Sequence, residues 1–137
     1  MSGRTRKKGT RIPLDAYYTD ERVAWAALSE AMRHILIMDD PPLRVMEPHV
    51  GGGAWIKAFK RFNNPKIKYT AMDLNPEAEG LALADYKMPG GDFLQFAEDW
   101  TDERKPYDIV MGNPPFSENG IVVAHKHIEA ARKVGRW

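Results

Sequence analysis

Apolar positions divide the chain into short continuous runs that alternate with longer segments of helical spacing. Apolar residues three and four apart predict one amphipathic helix over 21–38. Short apolar runs bounded by Pro, Gly or Asn predict strands at 43–46, 67–72, within 88–93 and at 107–112. Further helices are predicted at 54–62, 76–86, 94–103 and 121–134. This alternation predicts an α/β protein with a mainly parallel sheet and helices on both faces.

The length of 137 residues is that of one domain with a sizeable core. We divide the chain into a basic, disordered arm over 1–12 and a globular core over 13–137. Residues 1–11 contain five basic side chains and no acidic one. Such an arm either contacts nucleic-acid phosphates or serves as a solubilising terminus.

Composition excludes several other classes of protein. The chain has no cysteine, which rules out disulfides and thiolate metal sites. Its histidines lack ligand spacing, so no metal is expected. No apolar run approaches the roughly 20 residues of a membrane span, and no signal peptide is recognised. We therefore expect no membrane contact and a cytoplasmic location.

The stretch Asn113-Pro114-Pro115-Phe116 follows the predicted strand at 107–112. Two prolines stop helix and strand pairing, so a stiff loop begins at the carboxyl end of the strand. The Asn113 side-chain oxygen and the Pro114 carbonyl can both accept hydrogen bonds from one planar amino group, and Phe116 can stack on the ring that carries it. The alternative is an ordinary diproline turn.

A glycine-rich turn, Glu47-Pro48-x-x-Gly51-x-Gly53, follows the first predicted strand. Strand, acid, glycine turn and helix are typical of a nucleotide-type site, because glycines let the backbone approach a ligand closely. The third glycine of a dinucleotide fingerprint is absent, which argues against a pyrophosphate. The alternative is a structural strand-to-helix turn.

Asp73 stands at the end of the second predicted strand, 20 residues after Gly53. A carboxylate at that point can accept hydrogen bonds from both hydroxyls of a ribose. Its alternative role is to cap the helix that follows.

Together these segments resemble the S-adenosylmethionine-dependent amino-methyltransferases that carry an Asn/Asp-Pro-Pro-Tyr/Phe motif, of which the adenine-N6 DNA methyltransferases are the largest group. The resemblance spans residues 17–116 and implies a Rossmann-like methyltransferase fold. It implies that the catalytic residues are Asn113, Pro114, Pro115 and Phe116. It implies that the cofactor S-adenosyl-L-methionine is bound by Tyr18, Thr19, Glu47, Pro48, Gly51, Gly53, Asp73, Leu74, Asp92, Phe93 and Asn113.

The resemblance also assigns roles within that set. Glu47 would lie near the methionine end of the cofactor, and Thr19 would hold the methionine carboxylate unless it is a helix N-cap. Leu74 would cover the adenine face. Asp92 would accept from the adenine amino group, with Phe93 packed against the ring.

The implied activity is transfer of a methyl group to the N6 amino group of adenine in DNA. RNA amino groups and a protein glutamine are alternative acceptors, and a non-catalytic cofactor-binding module that needs a partner chain is a third reading. The family's catalytic domain usually has more strands than the four found here. The last strands are thus expected to be missing, and the fourth strand to form a bare, apolar sheet edge that invites pairing with another chain. Three explanations stay open: a truncated protein, one that dimerises or borrows the strands of a partner subunit, and a cofactor-binding remnant.

Overall fold

A computed structural model describes residues 19–35, 44–115, 117–118 and 120–137. The predicted arm, Tyr18 and Phe116 lie outside these residues. Helices in the described part are α1 (Glu21–Ile35), α2 (Ala54–Lys60), α3 (Phe93–Asp99) and α4 (Ala124–Val134), with a 3-10 helix at Glu79–Leu83. Its strands are β1 (Arg44–Glu47), β2 (Lys68–Asp73), β3 (Tyr86–Pro89), β4 (Ile109–Val110), β5 (Ser117–Glu118) and β6 (Ile121–Val122). None of the helices described is both long and apolar enough to cross a membrane.

Four of the strands form one parallel sheet in the order β3-β2-β1-β4. β1 lies at its centre, where Val45 is in register with Tyr69 of β2 and with Ile109 of β4. The prediction of an α/β fold with a parallel sheet is confirmed. Because the chain adds β2 and β3 on one side of β1 and β4 on the other, the strand order reverses between β1 and β4.

Alternate residues of the strands bury their side chains on opposite faces of the sheet, as the two-residue period of a strand requires. One apolar cluster contains Val45, Tyr69 and Ile109 together with buried side chains of α1 and α2. A second contains Met46 and Met72 together with buried side chains of α3 and α4. Helices therefore pack on both faces of the sheet, as predicted.

The segment after β2 differs from its prediction. Instead of a helix over 76–86, it forms the short 3-10 helix and then enters β3 at Tyr86, earlier than expected. The cause is a close approach between backbones: the Gly80 N–H donates to the Gly51 carbonyl at 2.8 Å. A Cβ at Gly80 would lie 2.6 Å from the nitrogen of Gly53, so the two backbones are closer than a residue with a side chain would allow. A regular helix over 76–86 would not make this contact.

The last two helices are shorter than predicted. α3 ends at Asp99 and not at 103, and the indole of Trp100 then donates to the Arg104 carbonyl at 3.0 Å. α4 begins at Ala124 and not at 121, because β5 and β6 pair as an antiparallel hairpin ahead of it. Gly120 has φ of +77°, which a hairpin turn accepts and a helix does not.

The outer edge of β4 is not bare, so the prediction of an unpaired strand at that edge is wrong. Residues 135–137 leave α4 and run beside 107–110, where the Arg136 N–H donates to the Tyr107 carbonyl at 3.1 Å and the Val110 N–H of β4 donates to the Trp137 carbonyl at 2.9 Å. Gly135 makes this return possible, because a Cβ there would lie 2.6 Å from Cγ2 of Val110. The apolar run of β4 is thereby paired on both sides.

Candidate functional site

The reversal of strand order between β1 and β4 opens a crevice at the carboxyl ends of these strands. Open α/β sheets bind their ligands at such a switch point. Glu47 ends β1 at this position, and the Asn-Pro-Pro loop follows β4. The glycine-rich turn and the Asn-Pro-Pro loop, which were both predicted from the sequence to belong to the site, are therefore neighbours in the fold.

Glu47 is a carboxyl group inside the protein, with only 1% of the residue exposed. Its Oε2 accepts a hydrogen bond from the backbone N–H of Ile56, in the first turn of α2, at 3.2 Å. Burial raises the pKa of Glu47 to about 9, and the negative charge of Asp73 acts in the same direction. The hydrogen bond from the Ile56 N–H lowers the pKa of Glu47, but by less than burial raises it. The side chain is thus a neutral acid near pH 7.

The glycine turn is crowded by the chain that follows β2. Gly51 and Gly53 have φ of +49° and +83°, which glycine adopts without strain. A Cβ at Gly53 would lie 2.5 Å from Cδ1 of Leu83 and 3.0 Å from Cα of Gly80. The turn therefore needs glycine for packing as well as for the ligand approach that its sequence predicts.

Asp73 binds two backbone donors at the end of β2. Its Oδ2 accepts from the Gly51 N–H at 2.8 Å, and its Oδ1 accepts from the Asn75 N–H at 2.8 Å. Each carboxylate oxygen has a second lone pair, so these bonds leave capacity for ribose hydroxyls. Leu74 beside it is 42% exposed and offers an apolar surface to a ring.

Asp92 and Phe93 have clear structural roles at the start of α3. Asp92 is the N-cap, and its Oδ1 accepts from the N–H groups of Leu94 and Gln95 at 3.0 and 3.3 Å. Phe93 is buried, and its ring lies 6.4 Å from that of His127 in a stacked arrangement. Contact of this pair with a cofactor adenine stays a prediction.

The Asn-Pro-Pro loop begins directly against the end of β1. A Cβ at Gly112 would lie 3.7 Å from Cγ of Glu47 and 3.8 Å from Cδ of Pro48. The next residues, Asn113 and Pro114, are partly exposed. The loop thus starts beside the buried acid and presents its amide and carbonyl groups at the surface of the crevice.

A cleft of about 140 Å³ lies between this loop and α4. Its wall is mainly apolar and aromatic and includes Pro48, His49, Phe93, Gly112, Pro114 and His127. The cleft brings together three predicted site residues, Pro48, Phe93 and Pro114, and two histidines that the sequence did not assign to a site. Its volume is close to the roughly 150 Å³ of an engineered cavity that binds benzene.

His49 and His127 meet edge to face, with ring centroids 4.6 Å apart. Burial lowers the pKa of His49 to about 3, with a contribution from His127, so the imidazole is neutral. The signal that identifies His127 is its position on α4, where it shares the buried face with Ala130 and Val134. The buried face of α4 could not be identified from the sequence, because the helix was predicted to begin at 121 and begins at Ala124.

Thr19 lies in a second depression, which Gly52 of the glycine turn also lines. It lines this depression, of about 380 Å³, together with Glu21, Gly52, Ala54, Lys57 and Glu79. Asp20 caps α1, since its Oδ1 accepts from the Arg22 N–H at 2.8 Å. The N-cap role is therefore filled by Asp20, and Thr19 can face a ligand.

No protein family model matches this chain. The fold and the arrangement of these side chains are therefore what a functional assignment rests on.

Proposed function

We propose that the chain has a Rossmann-like methyltransferase fold and transfers a methyl group from S-adenosyl-L-methionine to the N6 amino group of adenine in DNA. One observation carries the proposal: the Asn-Pro-Pro loop follows Gly112, where a Cβ would lie within 4 Å of the Glu47 and Pro48 side chains, at the point where the strand order reverses. A loop that holds an amino group and a turn that holds a nucleoside-type cofactor must adjoin in such an enzyme.

The residues of the crevice fit this cofactor. When bound, S-adenosyl-L-methionine supplies a methyl group on a positively charged sulfonium. Glu47 provides a carboxyl group next to the glycine turn. Among the described residues, none forms an ion pair with this carboxyl group. Thr19 and Lys57 line one depression and would hold the methionine carboxylate through a hydroxyl and an ammonium group.

The nucleoside part of the cofactor would extend toward β2. Asp73 would accept the ribose hydroxyls with the lone pairs that its backbone bonds leave over. Leu74 would cover the adenine ring. Asp92 would accept from the adenine amino group through Oδ2, since both of its capping bonds use Oδ1.

The acceptor base would enter the cleft beside Pro114, which has room for one planar ring. A base in duplex DNA must leave the stack to reach such a pocket. The Asn113 side-chain oxygen and the Pro114 carbonyl would then accept hydrogen bonds from the two N–H groups of the amine and direct the nitrogen lone pair at the methyl group. Pro115 lacks an N–H, which keeps the loop from joining a strand. Positioning and charge placement supply the catalysis.

DNA is favoured as the acceptor by the resemblance and by the basic segment 1–11, whose five cations suit phosphates. RNA amino groups and protein glutamine remain competing acceptors of the same chemistry. A non-catalytic module is the competing function of another class.

The test offers the purified chain labelled S-adenosyl-L-methionine with unmethylated duplex DNA, RNA and cell protein in parallel. We expect label in DNA alone, recovered after digestion as N6-methyldeoxyadenosine by mass spectrometry. Label confined to RNA or to glutamine would overturn the DNA assignment. Saturable cofactor binding without transfer to any acceptor would identify a binding module.

A further inference from the structure

A third depression, of about 440 Å³, is lined by α4, by the loop residue Lys105 and by the segment 135–137 that follows α4. None of the residues that the sequence predicted for the site lines it. Its described lining residues include no acidic one, and three of them are basic: Lys105, Arg132 and Arg136. The others are apolar or glycine, and Trp137 is the largest of them. Such a wall suits an anionic ligand that also carries a planar ring.

This depression adjoins the cleft beside Pro114, because Val110, Ile128 and Ala131 line both of them. Ile128 is 57% exposed, so the shared wall is open to a ligand. A ligand with one ring in the cleft can therefore extend over this apolar wall to the basic side chains of the depression. A nucleic-acid strand has this form, since each base in it is followed by a phosphate and a further base.

Trp137 lines the depression and is 47% exposed. Its backbone is held in place, because its N–H donates to the Asp108 carbonyl at 3.0 Å and its carbonyl accepts from the Val110 N–H at 2.9 Å. Since Val110 ends β4, the indole is attached close to the loop that follows this strand. Nucleobases stack on exposed aromatic rings of this kind whatever the base sequence.

The three cations of the depression differ in what they already bind. The Lys105 ammonium donates to the carbonyls of Arg132 and Gly135 at the end of α4. The Arg136 guanidinium lies 3.7 Å from the Asp108 carboxylate. The Arg132 side chain is exposed, and among the described residues it forms no ion pair. Its planar guanidinium is therefore available to a phosphate, whose oxygens it can bind in pairs.

We propose that this depression binds the nucleotide next to the base in the cleft, with Trp137 stacked on the neighbouring base and Arg132 paired with its phosphate. The inference rests on the proposed function, which supplies DNA as the acceptor. It goes further by naming a surface outside the predicted motifs that holds the DNA strand. A base that leaves the duplex leaves its neighbour with one face uncovered. The Trp137 indole covers that face while the target base occupies the cleft.

The experiment measures the affinity of the full chain for a fluorescein-labelled duplex with a mispaired adenine, by fluorescence anisotropy at several salt concentrations. Trp137→Ala should weaken binding by about fivefold to 100-fold, the usual effect of removing an aromatic ring on which a base stacks. Trp137→Phe keeps a stacking ring and should recover most of this loss. Arg132→Ala should reduce the slope of log K against log salt concentration by about 0.9, as the loss of one phosphate contact does. Arg132→Lys keeps the charge and should keep the slope.

Tyr86 and Lys87 provide matched controls on β3, at the opposite edge of the sheet from β4. Both side chains are exposed. Tyr86→Ala and Lys87→Ala remove an aromatic ring and a positive charge, as the test variants do, but at positions that do not line the depression. We expect unchanged affinity and unchanged salt dependence for both. The basic segment 1–11 is the same in all variants, so its contribution cancels from each comparison.

Indole emission reports the stacking contact itself. DNA should quench part of the tryptophan fluorescence of the wild type, and Trp137→Phe should bind DNA without that part of the quenching. Unchanged affinity in both Trp137→Ala and Arg132→Ala would overturn the inference. Undiminished quenching in Trp137→Phe would overturn it as well.

Methyl transfer by the wild type separates this inference from the proposed function. If the wild type methylates DNA and the variants bind it normally, the inference is overturned and the proposed function stands. If the variants behave as expected but no acceptor is methylated, the DNA-binding surface stands and the methyltransferase assignment is overturned. A folded wild type that binds no DNA would overturn both.

Discussion

The Asp73 carboxylate joins the end of β2 to the glycine turn after β1, since its Oδ2 accepts the Gly51 N–H at 2.8 Å. Its other oxygen accepts the Asn75 N–H at the same distance. One side chain thus satisfies backbone donors of two neighbouring loops at the edge of the crevice. The shape of the glycine turn depends on Asp73 before any ligand is bound.

Replacing Asp73 should therefore destabilise the fold. Asp73→Ala leaves two backbone donors without partners, and we expect the free energy of unfolding to fall by about 2–3 kcal/mol. Asp73→Asn keeps one acceptor oxygen, so its free energy of unfolding should fall by less. Urea denaturation measures both. The exposed control Asp99→Ala should stay within about 0.5 kcal/mol of the wild type, and an equally stable Asp73→Ala would contradict the structural role.

Gly53 and Gly90 form a matched pair for separating strain from crowding. Both have positive φ, but a Cβ at Gly90 meets nothing within 4 Å, whereas at Gly53 it meets Leu83 at 2.5 Å. Gly90→Ala should cost about 1–2 kcal/mol from backbone strain alone. Gly53→Ala should cost at least about 1 kcal/mol more, because the 3-10 helix must move. Equal losses in thermal or urea unfolding would show that the contact with Leu83 is unimportant.

The stability of the protein should depend on pH through Glu47. Its pKa is about 9 in the folded chain and near 4.5 when unfolded, so the folded state binds the proton more tightly. The contribution to stability is complete below the unfolded value and is lost as the pH rises toward the folded one. Relative to Glu47→Gln, the wild type should lose up to about 4 kcal/mol between about pH 5 and about pH 8, at up to about 1.4 kcal/mol per pH unit. If the free energy of unfolding varied with pH in the same way in the two proteins, the buried, protonated state of Glu47 would be contradicted.

Asn113→Ala tests the role of the loop in transfer. Removing one of two acceptors for the amino group should lower methyl transfer on the order of 100-fold or more, the usual effect of a lost transition-state contact. Cofactor binding should survive. Asn64→Ala, in the turn after α2, is the control and should leave both properties unchanged. Loss of transfer and cofactor binding together would reject this division of roles.

Much of the fold was readable because burial on both faces leaves continuous apolar runs. Val45 and Met46, and the run from Tyr69 to Met72, are buried on alternate sides of the sheet, and Pro or Gly marks their ends. The carboxyl-end position of Glu47 and of Asn113 followed from those strands. Parallel strands bring such ends to one edge, so the neighbourhood of the two motifs could be anticipated.

Other features depend on contacts between distant segments and leave no local pattern. Ile121 and Val122 look like the start of an apolar helix face, but they belong to a hairpin and are 63% and 66% exposed. The return of the chain beside β4 depends on Gly135 fitting against Val110. The contact between His49 and His127 joins residues 78 positions apart in the sequence, one in the turn after β1 and one in α4.

The central claim is that the crevice between β1 and β4 binds S-adenosyl-L-methionine, and hydrogen–deuterium exchange with mass spectrometry tests it most directly. At saturating cofactor we predict slower exchange in peptides covering 47–54 and 109–115, where the glycine turn and the Asn-Pro-Pro loop adjoin. Peptides covering 101–106, on an exposed loop away from the crevice, should be unchanged. Saturable binding with no protection in those two segments would contradict the assignment of the site.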